Sequence, residues 1–529
     1  MTHFNRIKAL FSTPISWVFL AGFALRFYSG AARCVVNADA HHYIYQARVI
    51  YSGHWSELFS CGHAHISTYP FFTAMAFTLV RDWITAGLAV NILFGSAALV
   101  PLYFLLRRFL DDTASILCTL VFALMPTFVN TSGDIVRDPV FFFFIASGMF
   151  FFVRHWDEDA ASGRFRYDLM LAGLCFVLAT GTRIEGILFL AVSPLYLLFS
   201  RSAKKGAKLL YYAIPLFCVA ALGAAFILRT GADATVALRM EKVWREATHF
   251  IKAYGLVDRR LEALIHQNKG LLGEFLHRTR EALWIIPLAV LLHNSIEVFF
   301  YPFALLFFIG CIGLVRHIRQ TPRSMYFLCL MLGAILVLEI HLVQTWVLIH
   351  RFMAILILPS CLVIGWGIEN LINFLNDKWH RRRTTATALV LGFIVLTALP
   401  KSLIPRESDK SMYRQAARVI EETKSPLTAA SIAAAGDSRA LEWILLYSQR
   451  KYVQPVCAKE FILKIPKTYD QFLSAFDQSG RKYFIFEENH WPKNRFDFLS
   501  SVDPNDFSLM GQWGHHDSDR LMIFRRNVK

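Results

Sequence analysis

An aspartate stands in a short polar motif directly after the first apolar segment of the chain. The motif reads Asn-Ala-Asp-Ala-His-His-Tyr and runs from Asn37 to Tyr43, with the carboxylate at Asp39. A carboxylate beside imidazole and phenol groups can act as a general base on a hydroxyl, or hold a divalent cation. A structural interpretation stays open, because aspartate also caps helices well and a helix beginning at Ala40 fits the pattern.

A second motif places three charged residues in a short turn between two apolar segments. It reads Ser-Gly-Asp-Ile-Val-Arg-Asp-Pro, and its charges are Asp134, Arg137 and Asp138, with Pro139 opening a phenylalanine-rich segment. Charge beside hydrocarbon is costly unless it is paired or functional. Helix capping by Asp138 with proline in the first turn is the alternative, and Arg137 would then pair with a neighbour. Capping explains one of the two aspartates.

Two further motifs carry cations suited to an anionic group. Thr-Arg-Ile-Glu-Gly includes Arg183 and Glu185, which can pair with each other or reach a phosphate. His350 and Arg351 are adjacent at the end of another apolar segment, at the level expected for lipid headgroups. For the second pair, snorkelling of long side chains to the membrane interface is the structural alternative.

The loop after the first apolar segment also holds cysteines and histidines. Cys34 and Cys61 fall in this one loop, where an oxidising compartment could join them in a disulfide. Cys61, His63 and His65 invite a zinc hypothesis, because cysteine and histidine are the usual zinc ligands, but the spacing matches no established pattern. The sequence therefore leaves the metal ligands unknown, with a divalent metal ion as an open alternative.

The composition indicates an integral membrane protein. Of 529 residues, 55% are hydrophobic, 15% aromatic and only 18% charged, unlike a soluble globular chain. The net charge of +16 lies largely in short connectors between apolar segments, as the positive-inside rule expects, so we expect no nucleic-acid partner. Eleven transmembrane spans are predicted: 14–31, 84–106, 113–130, 139–154, 168–182, 186–200, 209–228, 297–315, 325–345, 352–373 and 385–403.

The basic connectors predict the orientation. They alternate along the chain, beginning with Arg6 and Lys8, so the N-terminus is expected in the cytoplasm and the tail outside it. Within the outer loops, Ala40–Tyr51, Tyr69–Val80 and much of 231–294 are predicted to form helices along the membrane interface. The spans make a mainly α polytopic bundle, taken as one domain over residues 1–404.

The polar tail, residues 405–529, is predicted to be a small extracytoplasmic α/β domain. Its predicted strands and helices follow the local apolar pattern. The strands are Ala429–Ala435, Lys451–Val456, Lys482–Glu487 and Leu521–Arg525, and the helices are Ser438–Gln449 and Thr468–Phe476.

In this order the motifs resemble the GT-C glycosyltransferases, especially the bacterial branch with the aminoarabinose transferases and the protein O-mannosyltransferases of family 39 type. The resemblance rests on Asp39 in Asp-Ala-His-His-Tyr-Ile-Tyr-Gln-Ala, on Asp138-Pro before an aromatic span, and on Gly173 followed by Thr-Arg-x-x-Gly. It covers residues 1–200 well and 345–373 loosely. Many members have Asp-Glu in the first motif, whereas Ala40 follows the aspartate here, and the first loop reads Ser-Thr-Tyr-Pro where members have an acidic or Pro-Pro segment.

The resemblance implies a sugar donor on a polyprenyl phosphate, delivered at the outer face of the inner (plasma) membrane, with membrane lipids around the enzyme and inversion at the anomeric carbon. It implies that Asp39 is the base and that Asp138 orients the acceptor or a cation. Arg137, Arg183 and Arg351 become candidates for the phosphate. The remaining candidates for substrate binding are Glu185, His350 and Tyr43.

Two rival functions stay open at this stage. A lipid-linked sugar flippase or transporter would place ionisable residues in mid-membrane, and Glu339 and His341 inside a predicted span fit that description unless they pair within the bundle. An oligosaccharide transferase or polymer ligase would share the lipid donor. The sequence predicts neither the sugar nor the acceptor.

Overall fold

We describe the protein from a computed structural model covering residues 13–58, 61, 67–156, 163–199, 204–230, 240–379, 382–422, 431–435, 439–492, 494–514 and 520–527. Its apolar segments are helical, as segments in lipid must be, because a helix pairs its backbone polar groups internally. The helices of the first half are α1 (Pro14–Ala31), α2 (Ala40–Ser52), α3 (Thr68–Val80), α4 (Trp83–Ala97), α5 (Leu99–Leu106), α6 (Asp112–Leu124), α7 (Pro126–Ser132), α8 (Asp138–Arg154), α9 (Phe165–Thr182), α10 (Ile187–Phe199) and α11 (Lys205–Thr230).

The second half continues with helices and ends in a small sheet. Its helices before the tail are α12 (Met240–Gln267), α13 (Leu271–Glu281), α14 (Ile286–Val298), α15 (Tyr301–Cys311), α16 (Leu314–Gln320), α17 (Met325–Thr345), α18 (Ala354–Ile357), α19 (Cys361–Trp379) and α20 (Arg383–Leu403). The tail contains α21 (Ser411–Glu422), β1 (Ile432–Ala435), α22 (Arg439–Ser448), β2 (Ile462–Leu463), α23 (Tyr469–Gln478), β3 (Tyr483–Glu487), α24 (Phe498–Ser501), β4 (Phe507–Trp513) and β5 (Leu521–Arg526). The predicted fold class, a mainly helical membrane bundle with a small α/β tail, is confirmed.

Several predicted spans are bent. In the described part of the chain, four helices are long and apolar enough to cross a membrane, and up to eight spans result if each bent pair counts as one. The predicted span 297–315 begins later, at Tyr301, after Phe300 with its left-handed φ of 65°, and it bends by 60° between α15 and α16. The predicted span 352–373 bends by 70° before α19, and α7 leaves α6 at 54°.

The chain forms two compact units. The first contains residues 1–29, 91–133 and 137–404, and the second contains 30–90, 134–136 and 405–529. The second unit therefore joins the first long loop to the tail. The predicted domain boundaries, 1–404 and 405–529, follow the chain rather than this grouping and stay a prediction.

In the first unit, glycines let helices approach closely. A Cβ on Gly148 of α8 would lie 2.4 Å from the ring of Phe176 on α9. A Cβ on Gly310 or Gly367 would lie 1.9 Å from a backbone carbonyl of the facing helix, so α15 and α19 touch backbone to backbone. Packing of this kind replaces the hydrophobic effect between helices in lipid.

In the second unit, the tail sheet has the order β2-β1-β3-β5-β4. β1 is parallel to β2 and β3, whereas β5 is antiparallel to β3 and β4. A phenylalanine-rich core packs under it, including Phe472, Phe484, Phe498 and Phe524.

Two details of the tail differ from the prediction. The predicted strand Lys451–Val456 is wrong, because that stretch is irregular and the strand comes later, at β2. β4 was not predicted, because it lies at the sheet edge with several exposed residues and so lacks a clear apolar alternation.

The first loop is linked covalently to the tail, since Cys61 forms a disulfide with Cys457. The disulfide between Cys34 and Cys61, which the sequence left open, does not form, and Cys34 is a free thiol. Hydrogen bonds join the same segments: Arg48 Nη2 donates to the carbonyl of Gln449 at 2.6 Å. The loop helices α2 and α3 were predicted correctly as helices.

The disulfide gives a direct labelling prediction. Unfolded without reductant and treated with a maleimide, the wild-type chain is expected to take seven labels on its nine cysteines. Cys61→Ser should take one label more, because it releases Cys457, and should lose about 2–5 kcal/mol of stability. Cys34→Ser is the control and should take one label fewer without loss of stability. Intact mass spectrometry counts the labels, and equal behaviour of the two variants would contradict the pairing.

Candidate active site

The first unit contains a buried ion cluster built from the second and third motifs. Arg183 pairs with Asp138 through Nη1, and its Nη2 and Nε atoms lie 3.1 and 3.3 Å from the two carboxylate oxygens of Glu185. The side chains of Arg183 and Asp138 are 2% and 1% exposed. A buried guanidinium that bridges two carboxylates fixes both of them in position.

Local structure explains how these residues meet. Asp138 is the first residue of α8, and Arg183 follows the last residue of α9 in an extended conformation. The chain then folds back in a 3-10 turn, where a Cβ on Gly186 would lie 2.6 Å from the backbone of Thr180. Only glycine fits this approach, which accounts for the Thr-Arg-x-x-Gly spacing.

The same cluster meets the fourth motif. The Arg183 guanidinium lies 4.8 Å from the ring centroid of Phe352, within cation–π range. Phe352 belongs to the 3-10 turn His350–Met353, so the cationic pair is its direct neighbour in the chain. His350 Nε2 lies 3.5 Å from a carboxylate oxygen of Glu297. The sequence did not predict the role of Phe352, because an aromatic residue in a membrane segment carries no distinctive signal.

One carboxylate oxygen of the cluster stays available. Asp138 Oδ1 contacts Arg183, whereas Oδ2 is buried and has no hydrogen-bond partner within the described residues. An unpaired buried carboxylate oxygen is costly, and such an atom in a native protein indicates an absent ligand group or a functional role. The capping interpretation of Asp138 is not supported, because Arg137 is the residue before the helix and no side-chain cap bond forms.

The electrostatics of the cluster favour ionised carboxylates. Burial alone would raise the pKa of Glu185, but Arg183 by charge and hydrogen bonds, and Arg137 by charge, lower that pKa to about 2. Glu185 lies in the turn between α9 and α10 and is charged at every physiological pH. Arg137 therefore belongs to the same electrostatic group as Arg183 and Glu185.

Asp39, in the second unit, does not cap α2 with its side chain. The helix begins after it, but no side-chain capping hydrogen bond forms, so the structural alternative for this residue is not supported. Its neighbour His42 is exposed on one side, but partial desolvation lowers the pKa of that imidazole, and the negative charge of Asp39 opposes the change. Asp39 is half-buried, and a reactant could therefore reach it.

Asp134 holds the backbone before Asp39. Its Oδ1 accepts hydrogen bonds from the backbone N–H groups of Asn37 at 2.8 Å and Ile135 at 2.7 Å, and its Oδ2 lies 3.1 Å from Arg33 Nη1. Burial raises the pKa of Asp134, although Arg33 and the two N–H groups act against that rise. The two aspartates of the second motif thus have different roles: Asp134 positions the first motif, and Asp138 pairs with Arg183.

This arrangement predicts the effect of removing Asp134. Asp134→Ala leaves the Arg33 guanidinium buried without its carboxylate and frees the Asn37 backbone, so we expect a loss of about 3–5 kcal/mol of stability. Asp111→Ala is the control: it removes an exposed helix cap that also pairs with Arg383 and should cost only about 1 kcal/mol. Thermal unfolding measures both effects, and equal losses in the two variants would contradict the positioning role of Asp134.

The remaining predicted residues lie as follows. The ring of Tyr43 is largely buried and packs edge-on against Tyr69, with 5.4 Å between ring centroids. Its role in substrate binding stays a prediction. Glu339 and His341 lie on α17, and the His341 ring packs against Phe352 with 4.9 Å between ring centroids.

In the part of the chain that the structure describes, no group of three or more His, Cys, Asp and Glu side chains could hold a metal ion. His63 and His65 lie outside the described residues, as do Arg6 and Lys8. Cys61 is in a disulfide and is therefore not a thiolate ligand in this structure. At Asp138, Arg183 already supplies the positive charge that a cation would bring.

Comparison with known proteins supports the predicted resemblance. Residues 65–224 match the family described as dolichyl-phosphate-mannose-protein mannosyltransferase. Two solved structures of ArnT from Cupriavidus metallidurans are similar in fold: the apo state has a TM-score of 0.61 at 14% identity, covering 96% of this chain and 97% of that one, and the undecaprenyl phosphate complex has 0.62 at 12%, covering 96% and 98%. No curated protein matches by sequence.

A third solved structure is also similar in fold. The apo Archaeoglobus fulgidus oligosaccharyltransferase has a TM-score of 0.53 at 14% identity, covering 90% of this chain and 69% of that one. At these identities the likeness concerns the fold. The matched family segment and the fold shared along nearly the whole chain agree with the motifs: this chain has the fold seen in ArnT and in the archaeal oligosaccharyltransferase.

Proposed function

We propose that this protein transfers a sugar from a polyprenyl-phosphate donor to an acceptor on the outer side of the membrane. The buried cluster of Asp138, Arg183 and Glu185, packed against Phe352 beside His350 and Arg351, is the observation that carries the proposal. It joins acidic and cationic groups within a GT-C fold. The similar ArnT structure in complex with undecaprenyl phosphate supports a lipid phosphate as the donor's carrier.

The reaction we propose is a single inverting displacement. Asp39 takes the proton from an acceptor hydroxyl, and the hydroxyl oxygen forms a bond to the anomeric carbon. The bond from that carbon to the phosphate oxygen breaks, and its electron pair leaves with the polyprenyl phosphate. General-base assistance contributes about 10²–10⁴ to such rates, and cations that stabilise the leaving phosphate contribute further.

The cations have different roles in this proposal. Arg183 is already bound to two carboxylates, so we assign it a positioning role for Asp138 rather than direct phosphate binding. Asp138 Oδ2 is then fixed to accept a hydrogen bond from the sugar or the acceptor. Arg137 and Arg351 supply positive charge for the phosphate, and His350, which lies 3.5 Å from Glu297, is close enough in the chain to contribute a hydrogen bond.

An apolar groove near the cationic turn suits the lipid tail. It lies in the first unit between α14, α15, α17 and α18, and its volume is about 160 Å³. Its lining is Leu288, Leu291, Leu292, Ser295, Ile296, Phe299, Ala304, Phe307, Phe308, Met331, Ile335 and Leu356. Leu356 follows Phe352 by about one helical turn, so a tail in this groove would bring its phosphate toward His350 and Arg351.

The disulfide supports the proposed location of the tail. We infer that the N-terminus lies in the cytoplasm and that the tail and first loop lie outside it, at the inner (plasma) membrane. A disulfide between Cys61 and Cys457 forms and persists in an oxidising compartment. The basic connectors favour the same orientation.

A flippase is the second candidate, and Glu339 favours it. This residue lies inside α17, and its Oε1 atom is buried without a hydrogen-bond partner among the described residues. Ionisable groups in mid-membrane mark transport pathways in many carriers. The charged groups of the candidate site lie at helix ends or in turns, which favours the glycosyltransferase.

The proposal is tested with purified protein and a panel of radiolabelled polyprenyl-phosphate sugars, incubated with membrane extract as the source of acceptor. We expect label to move from the lipid donor to an acceptor fraction for at least one sugar, with free polyprenyl phosphate as the second product. The proposal fails if no donor in the panel is consumed above the level of a boiled control.

A further inference from the structure

The tail contains a groove whose cations are not neutralised. It lies in the second unit beside β2, and its volume is about 500 Å³. Its described lining is Lys459, Ile462, Leu463, Lys464, Ile465, Pro492, Asn494 and Arg495. No acidic side chain is among these residues, and Lys459, Lys464 and Arg495 form no ion pair with any described residue. Three uncompensated cations around one concave surface create a site for an anion.

The groove also has an apolar floor. Ile462, Leu463, Ile465 and Pro492 contribute this surface, and Ile465 is buried. Apolar carbon surface packs against the faces of sugar rings, whereas the cations at the rim bind charged substituents. The combination fits a charged sugar better than a bare inorganic ion.

The groove lies close to the proposed base. Lys459 is two residues beyond Cys457, which is bonded to Cys61 of the first loop. Its charge is near enough to His42 to lower the pKa of that imidazole, after burial as the main cause, and His42 in turn interacts with Asp39. A ligand bound at Lys459 would therefore sit next to the loop that carries Asp39.

We propose that this groove, defined by Lys459, Lys464 and Arg495, binds the anionic group of the acceptor, a phosphate or carboxylate on a sugar. The inference rests on the proposed function, because it names the chemical class of the acceptor for the same reaction. The groove holds the charged substituent and presents a hydroxyl of the same molecule toward Asp39.

Direct binding tests the groove without requiring catalysis. Saturation-transfer NMR on the full-length protein in detergent compares galactose 1-phosphate, galacturonate and neutral galactose. At least one of the two anionic sugars should bind, and galactose should not. The variant Lys459→Gln/Lys464→Gln/Arg495→Gln should weaken that binding about tenfold or more, as the loss of three charge contacts implies.

A matched control removes three positive charges at other positions of the tail. Lys451, Lys482 and Arg418 are exposed and lie outside the groove, so their replacement by glutamine should leave binding and transfer unchanged. Binding by the phosphate alone or the carboxylate alone identifies the substituent. The inference is overturned if neither anion binds better than galactose, or if the groove variant binds like wild type.

Failure of the inference is distinguishable from failure of the proposed function. In the sugar-transfer assay, the groove variant should raise the apparent KM for acceptor extract about tenfold. Transfer by wild type with an unchanged KM in the groove variant would reject the groove and keep the glycosyltransferase. Absence of transfer by wild type would reject the glycosyltransferase, whatever the binding experiment shows.

Discussion

Asp39→Asn is expected to lower sugar transfer about 100-fold or more while leaving the protein folded. The amide keeps the shape of the side chain but cannot accept the proton of the acceptor hydroxyl, and a general base contributes about 10²–10⁴ to the rate. The structural cost should be small, because the Asp39 side chain makes no capping hydrogen bond to α2. Initial rates of transfer at matched protein concentration measure the effect.

Two further variants serve as a partial rescue and as a matched control. Asp39→Glu restores a carboxylate at a shifted position and should recover part of the activity. Asp112→Asn makes the same chemical change at an exposed aspartate paired with Arg107 and should transfer like wild type. If Asp39→Asn keeps the wild-type kcat, another group is the base and Asp39 has only a structural role in the first loop.

The second large effect is expected from Arg183→Ala. The variant leaves Asp138 and Glu185 as buried carboxylates without their cation, which costs about 3–5 kcal/mol. Asp138 also loses the contact that fixes its free oxygen, so kcat per folded molecule should fall about 100-fold or more. Arg183→Lys keeps the charge but not the forked geometry and should be intermediate.

The control for Arg183 lies at the far end of α8, the helix that begins with Asp138. Arg154 pairs with the buried Asp168 at the other end of α8, about 24 Å from Asp138 at 1.5 Å per residue. Arg154→Ala should lower the melting temperature in a similar manner but retain kcat per folded molecule. If both variants lose kcat equally, the loss at Arg183 reflects stability, and the cluster has no specific part in the reaction.

The sequence predicted the helical bundle and part of the candidate site correctly. Apolar length alone predicted the helical bundle, because lipid allows few other structures. Charge beside hydrocarbon singled out Asp138, and the Thr-Arg-Ile-Glu-Gly motif singled out Arg183 and Glu185. The structure brings these three together.

Contacts between distant segments were beyond the sequence. Nothing local shows that Asp134 binds the Asn37 backbone, or that Cys61 chooses Cys457, 396 residues away, over the nearer Cys34. The break at Phe300 depends on one left-handed residue inside an otherwise apolar run. The uncompensated cations beside β2 required the three-dimensional arrangement, because Lys459 and Arg495 are far apart in the chain.

We propose that the protein transfers sugar from a lipid donor and does not move the lipid across the membrane. Proteoliposomes containing the purified protein and a labelled polyprenyl-phosphate sugar, with acceptor extract outside, allow both processes to be measured in one sample. We predict loss of the sugar from the lipid in wild type and its near absence in Asp39→Asn. Donor that crosses the bilayer at equal rates in both proteins, with its sugar intact, would contradict the account and indicate a flippase.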